Sequence, residues 1–347
     1  MQIIKTALLS YGMSGKVFHA PFLELHPGFE LLGSWERSKK LIQEDYPEVK
    51  SFPSLESILE NKSIDLVIVN TPIDTHFEYA KKVLLAGKHA IVEKAFTSNV
   101  AEAMELAALA KEKGLKLSVF QNRRWDSELK TVKKILDSKL LGEIVEAEFH
   151  FDRYNPVLSP KVHKETVNSG SGIMKDLGPH IIDQAMYLFG LPNAVFADIR
   201  IIRENSVVDD YMDVLLYYSD LRVRLKAGFF VREPNPSYVL HGKKGSFLKS
   251  RGDVQEDELK LGKKPNLTTW GTEKEGQEGL LHTEIEGRII REKVPTIQGN
   301  YYDFFEGVYQ AIANDKLEPV TAQNGVNVMR IIEAAFQSSE QKTAVNL

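Results

Sequence analysis

The sequence predicts a chain of the α/β class in two parts, an N-terminal half built on a parallel sheet and a C-terminal α+β half built on a large, mostly antiparallel open sheet. Three observations predict it. Up to residue 122, short apolar runs alternate with amphipathic stretches, the pattern of strands buried on both faces and separated by helices. Beyond it the apolar residues fall into period two, with Val145, Ala147, Phe149 and Phe151 set against Glu146, Glu148, His150 and Asp152, as in a sheet with one wetter face. The third is length: 347 residues exceed one ordinary core, so domains are drawn at 1–122 and 123–347.

In chain order, Ile3 to Leu9 reads as a buried strand, followed by the turn Ser10-Tyr-Gly12-Met13-Ser14-Gly15 and an amphipathic stretch to His26. Strand, glycine turn and helix in that order make a phosphate-binding corner, where helix N–H groups meet an anion and glycine lets the backbone approach it. Ser10 stands where the first glycine of the usual pattern belongs. Phe29 to Trp35 is a second strand that delivers Glu36 and Arg37 about 20 residues after the turn, where a carboxylate binds the ribose of NAD and an arginine the 2′-phosphate of NADP. Helices follow at 38–46 and 54–61, then a strand from Ile64 to Asn70 that leads into Thr71-Pro72-Ile-Asp74-Thr-His76. Asp74 is read as the cap of a helix from Thr75 to Ala86. Lys88 to Val92 is a strand ending in Glu93-Lys94-Ala95, Thr97 or Ser98 caps a helix from Val100 to Lys113, and Leu115 to Phe120 is a strand ending in Gln121-Asn122-Arg123-Arg124. Ser10, Glu36, Asn70, Lys94 and Asn122 thus all fall at the carboxyl ends of strands, where ligands of an open parallel sheet collect.

In the second half a helix is expected from Trp125 to Ser138, then strands at 143–152, 194–203, 211–218, 222–231, 237–241, 246–249 and 284–293. Arg251 to Leu280 reads as one irregular excursion, and two helices, 300–314 and 325–342, close the chain. Between the first two strands lies Gly170-Ser-Gly-Ile-Met-Lys-Asp176-Leu-Gly178-Pro179-His180-Ile-Ile-Asp183. Pro179 suits a first helical turn, with Gly178 as its cap, so His180 sits where the helix dipole favours a neutral imidazole able to accept a proton. Asp176 is in reach across the turn and Asp183 lies three residues on.

Composition excludes several classes. Lys+Arg 44 against Asp+Glu 48 gives a charge of −4, with no electrostatic reason for nucleic acid or an anionic membrane. There is no cysteine, hence no disulfide, thiol nucleophile or Cys-based metal site, and the histidines do not cluster at ligand spacing, so no metal is expected. The apolar N-terminal run is short and broken by Lys5, and a cytoplasmic protein is expected. Leu215, Tyr217, Leu225 and Phe229 suggest an apolar outer sheet face that pairs with another copy, giving a homodimer or homotetramer through the C-terminal sheet.

The phosphate turn, Thr71-Pro72 with His76, Glu93-Lys94 and Asp176-x-Gly178-x-His180, in that order and over essentially the whole chain, resemble the Gfo/Idh/MocA family of NAD(P)-dependent oxidoreductases. Tyr11 to Pro21, Asn122-Arg-Arg-Trp-Asp126, Asp152-Arg-Tyr-Asn-Pro156 and His241 to Phe247 are similar to its scyllo-inositol dehydrogenase branch. The resemblance implies an N-terminal Rossmann domain that binds NADP or NAD, NADP slightly favoured, through Ser10, Gly12, Met13, Ser14, Gly15, Glu36, Arg37, Asn70, Thr71, Pro72, His76, Glu93, Lys94, Asn122 and Arg124. It implies Lys94 between nicotinamide and a substrate hydroxyl, His180 exchanging the hydroxyl proton, and Asp176 orienting both. Arg123, Arg153, Tyr154, His163 and Trp270 are candidates to line a pocket for a small-molecule polyol or sugar. The chain departs from the family at Ser10 and at Ala95, where proline is usual. A cofactor-binding protein without turnover, or a reductase of a non-sugar carbonyl or imine, is the alternative.

Overall fold

The structure, a computed structural model, describes residues 2–36 and 39–347, with the backbone alone at position 163. It divides into two compact units. The first comprises 1–122 with 255–270 and 300–326, and the second 123–254, 271–299 and 327–347. A single division at 122 would assign those two later segments of the first unit to the second half.

The first unit carries β1 (Ile4–Leu8), β2 (Phe29–Trp35), β3 (Lys50–Phe52), β4 (Leu66–Val69), β5 (His89–Glu93) and β6 (Leu117–Phe120). They form one parallel sheet in the order β3-β2-β1-β4-β5-β6, that of a dinucleotide-binding fold. All four residues of β4 and all four of β6 are buried, which is why these runs are apolar without alternation. The helix Val100–Lys113 is capped by Asn99, whose side chain accepts the Glu102 N–H at 2.9 Å, in place of Thr97 or Ser98. A 3-10 turn, Ile73–Thr75, precedes the helix His76–Leu85, so Thr75 takes the cap position assigned to Asp74.

The stretch read as irregular holds the helix Gln255–Lys260 and anchors Trp270, 3 % exposed, whose indole N–H donates to Gln255 Oε1 at 3.1 Å. The same oxygen accepts the Tyr301 N–H at 2.8 Å. Trp270 therefore packs within the first unit, a correction to its placement in a substrate pocket: its polar atom already holds two segments of the chain together.

The second unit carries β7 (Ile144–His150), β8 (Ala194–Arg200), β9 (Tyr211–Tyr217), β10 (Arg222–Gly228), β11 (Tyr238–Gly242), β12 (Gly245–Lys249), β13 (Gly279–Ile285), β14 (Arg288–Val294) and β15 (Val345–Asn346). They form one nine-stranded sheet in the order β14-β13-β12-β11-β7-β10-β9-β8-β15, antiparallel except for β7 with β10. In place of one strand at 284–293 there is a hairpin, β13 to β14, turned at Glu286 and Gly287, both with positive φ. Alternation decides the faces. Met212, Val214, Leu216, Val223, Leu225 and Ala227 are fully buried on the side that the helix Gly178–Phe189 covers. Leu225 thus points inward, opposite to the face first given to it, because it shares parity with Val223 and not with Arg222. Leu215 and Tyr217 do lie on the other face, half-buried.

Candidate active site

Each unit brings together part of the expected site. In the first, β1 ends at Leu8 and the chain turns into a helical stretch, residues 13–25, whose segment Gly15–His19 is a π-helix. Asn70, at the end of β4, clamps Ser10 by accepting its N–H at 3.0 Å and donating to its carbonyl at 2.7 Å. The Ser10 hydroxyl accepts the Gly12 N–H at 3.2 Å, so the serine that replaces the first glycine closes the turn on itself. Gly15 has no room for a side chain, since a Cβ there would lie 2.4 Å from the Ser10 carbonyl oxygen. This close-packed turn, with first-turn amides that have no acceptor within the helix, fits the pyrophosphate of a dinucleotide.

At the next strand end Glu93 accepts hydrogen bonds from the Ser14 hydroxyl and from His19 Nε2, the latter at 2.9 Å. Burial raises the Glu93 carboxyl, but these two donors and the Lys94 ammonium outweigh it and hold the group below the usual carboxylate range. The other ring nitrogen of His19, Nδ1, is buried and has no hydrogen-bond partner among the described residues, so by hydrogen bonding Glu93 alone fixes this wholly buried ring, through Nε2. The Phe120 ring, 4.3 Å away, holds His19 in place. His19 was not among the expected site residues; its signal lay in the Tyr11 to Pro21 stretch, read there only as resemblance.

Lys94 sits in a tight turn closed by the Phe96 N–H donating to the Glu93 carbonyl at 3.0 Å, and its peptide bond to Ala95 is cis. Phe96 has a φ of 84°, a conformation rare for a bulky residue, and is held there by its fully buried ring. His76 bridges the turns, with Nδ1 3.1 Å from the Phe96 carbonyl and Nε2 2.8 Å from that of Thr71, and burial lowers its pKa below the ordinary imidazole value. The Thr71 hydroxyl meets that of Thr75 at 2.6 Å, and the Pro72 carbonyl accepts the Thr75 N–H at 2.9 Å. Ser10, Ser14, Asn70, Thr71, His76, Glu93 and Lys94 therefore belong to linked turns at the carboxyl ends of β1, β4 and β5. Gly12 and an exposed Met13 open the helix beside them, and Asn122, 6 % exposed, begins the 3-10 turn after β6.

Two expected cofactor residues have other partners. Both Glu36 oxygens accept backbone N–H groups, of Leu41 at 3.0 Å and of Ile42 at 3.1 Å. Arg124 makes a buried bidentate pair with Asp183, with Nε and Nη2 each 2.7 Å from a carboxylate oxygen. Arg37 lies outside the described residues, as does the His163 side chain.

In the second unit the short helix Ile173–Asp176 leads into Gly178–Phe189, which is capped by Leu177 and not by Gly178. His180, 6 % exposed, lies in its first turn with its ring 6.5 Å from that of Phe151. Asp176 is half-exposed and pairs with Lys164 at 3.4 Å. The Arg123 and Arg153 guanidinium groups lie 5.3 and 5.2 Å from the Phe151 ring. Tyr154 is exposed and stacks under Arg232 at 3.8 Å. Among the described residues no His, Asp or Glu group is arranged to hold a metal, and no helix is long and apolar enough to cross a membrane.

Comparison with known proteins agrees with this architecture. Residues 4–121 match the model of an oxidoreductase family's NAD-binding Rossmann fold, and residues 133–347 that of its C-terminal alpha/beta domain. The chain is 37 % identical to the scyllo-inositol 2-dehydrogenase (NADP(+)) IolW of Bacillus subtilis, over 99 % of this chain and 96 % of that one. It is also 37 % identical to the uncharacterized oxidoreductase YdgJ of Escherichia coli, over 99 % of both. Among solved structures, an oxidoreductase from Bacteroides fragilis is 46 % identical with a TM-score of 0.92 over the whole of both chains.

Proposed function

Because the chain belongs to the Gfo/Idh/MocA family of oxidoreductases and its first unit is that family's NAD(P)-binding domain, we propose that it transfers hydride between a nicotinamide and a hydroxyl-bearing carbon of a cyclic polyol or sugar. The observation that carries the reading is the Glu93–Lys94 turn, a lysine presented at a strand end beside an ionised carboxylate held by Ser14 and His19. Its likeness to a protein named as an inositol dehydrogenase supports the substrate class.

The nicotinamide, when bound, supplies the hydride acceptor or donor. The chain's own residues handle the rest. The Lys94 ammonium stabilises charge as it develops on the hydroxyl oxygen. His180 takes the hydroxyl proton, and Asp176 orients the hydroxyl and the imidazole. Ser10, Gly12 and Gly15, braced by Asn70, hold the pyrophosphate. NADP is the preferred cofactor in this reading, as in the name of the Bacillus subtilis relative IolW, with Arg37 as the partner of the 2′-phosphate. A homodimer or homotetramer assembled through the outer face of the nine-stranded sheet, where Phe196 is 37 % exposed beside Leu215, completes the proposal.

The test is turnover over a panel of inositols and sugars, followed by nicotinamide absorbance. Lys94→Ala and His180→Ala are each expected to lose roughly 10²–10⁴-fold in kcat while cofactor binding persists. Equal rates in all three proteins exclude the assigned roles. Binding without turnover across the panel favours a cofactor-binding protein, to which the Ser10 and Ala95 departures would then belong.

A further inference from the structure

A parallel sheet of this strand order ordinarily keeps a carboxylate at the end of its second strand for the adenosine ribose. Glu36 occupies that position, yet both its oxygens are in use. Oε1 accepts the Leu41 N–H at 3.0 Å; Oε2 accepts the Ile42 N–H at 3.1 Å and the Ser34 hydroxyl at 3.2 Å. Turned toward a ribose diol, the carboxylate would exchange two amide donors for two hydroxyl donors and strand the amides.

The far end of the same segment is fastened independently. Asp45 accepts a hydrogen bond from the Tyr11 hydroxyl at 2.9 Å and pairs with Lys16 at 2.8 Å. Burial raises the Asp45 carboxyl, but the hydrogen bonds from Lys16 and Tyr11 outweigh it and keep the group ionised. Tyr46 sets its ring edge-on to Tyr11 with centroids 6.3 Å apart. Tyr11 and Lys16 flank the glycine turn, so one short helix, Ile42–Asp45, is tied by Glu36 to the end of β2 and by Asp45 to the phosphate corner.

We infer that Glu36 is a positioning residue: together with Asp45 it braces the adenosine side of the nucleotide site, and it does not read the ribose. The inference rests on the cofactor assignment proposed above. Its consequence is specific, since removing the carboxylate then leaves the choice between NADP and NAD where it was.

Two measurements on Glu36→Ala, Glu36→Gln and Asp45→Asn test it. The first is amide hydrogen exchange of the cofactor-free protein at Leu41 and Ile42. Loss of the two accepted bonds is expected to speed exchange about 3- to 30-fold in Glu36→Ala, with an intermediate rate in Glu36→Gln, which keeps one acceptor oxygen. The second is titration with NADPH and NADH, read by fluorescence. Both dinucleotides are expected to weaken by a similar factor in Glu36→Ala and in Asp45→Asn, so that the ratio of the two Kd values moves less than about threefold. If Glu36→Ala weakens NADH by about tenfold or more while NADPH holds or tightens, and Asp45→Asn changes neither, Glu36 reads the ribose and the inference is wrong. Unchanged exchange at Leu41 and Ile42 overturns it as well. Should the wild type bind neither dinucleotide, the cofactor assignment fails, and the exchange arm still decides whether Glu36 and Asp45 hold the segment.

Discussion

Asn70 offers the sharpest perturbation of the phosphate corner. Its side chain is 6 % exposed and makes two hydrogen bonds to the backbone of Ser10, at 3.0 and 2.7 Å. Replacing it by alanine leaves a backbone N–H and a C=O unmet, at about 1–3 kcal/mol each when fully buried. Ser10 is half-buried, so water meets part of that need and a total of about 2–4 kcal/mol is expected. For a unit of this size that corresponds to a fall in Tm of roughly 5–15 °C. Dinucleotide affinity should fall with it, because the turn that holds the pyrophosphate is no longer clamped. Differential scanning calorimetry and NADPH titration of Asn70→Ala check both. A Tm within about 1 °C of wild type together with unchanged affinity would refute the clamp.

Two further outcomes follow from named groups. The Glu93 carboxyl is held low in the folded chain, so it adds stability that is fully present above its unfolded value and is lost as pH falls through the folded one. The Tm difference between wild type and Glu93→Gln should therefore be largest near neutrality and shrink in acid; a difference that grows in acid contradicts the assignment. Sedimentation at micromolar concentration should show an assembly, and charge placed at Leu215 should dissociate it. A monomeric wild type would remove the proposed oligomer.

The parts legible in the sequence were those written in local pattern. The runs at Leu66–Val69 and Leu117–Phe120 read as buried strands because parallel strands covered on both faces have no polar side to display. The first-turn position of His180 was legible because Pro179 marks the start of its helix. What escaped depended on which partner each side chain takes, near or far along the chain. Trp270 looked like a free aromatic in a loop, and only its bond to Gln255 shows it as an anchor. Glu36 looked like a ribose ligand because its position in the motif is conventional, whereas its partners are two backbone amides that no composition reveals. The pairing of Arg124 with Asp183, 59 residues apart, was hidden for the same reason. Leu225 was misplaced by parity alone, since a shift of one residue moves a strand side chain to the opposite face.

The central claim is that hydride passes directly between a carbinol carbon and the nicotinamide. It is tested most directly by supplying the best substrate of the panel with deuterium at the oxidised carbon and recovering the reduced cofactor. The account predicts one deuterium at C4 of the nicotinamide per product formed, with none acquired when unlabelled substrate is turned over in heavy water. Label lost to solvent, or reduced cofactor free of deuterium, would contradict it.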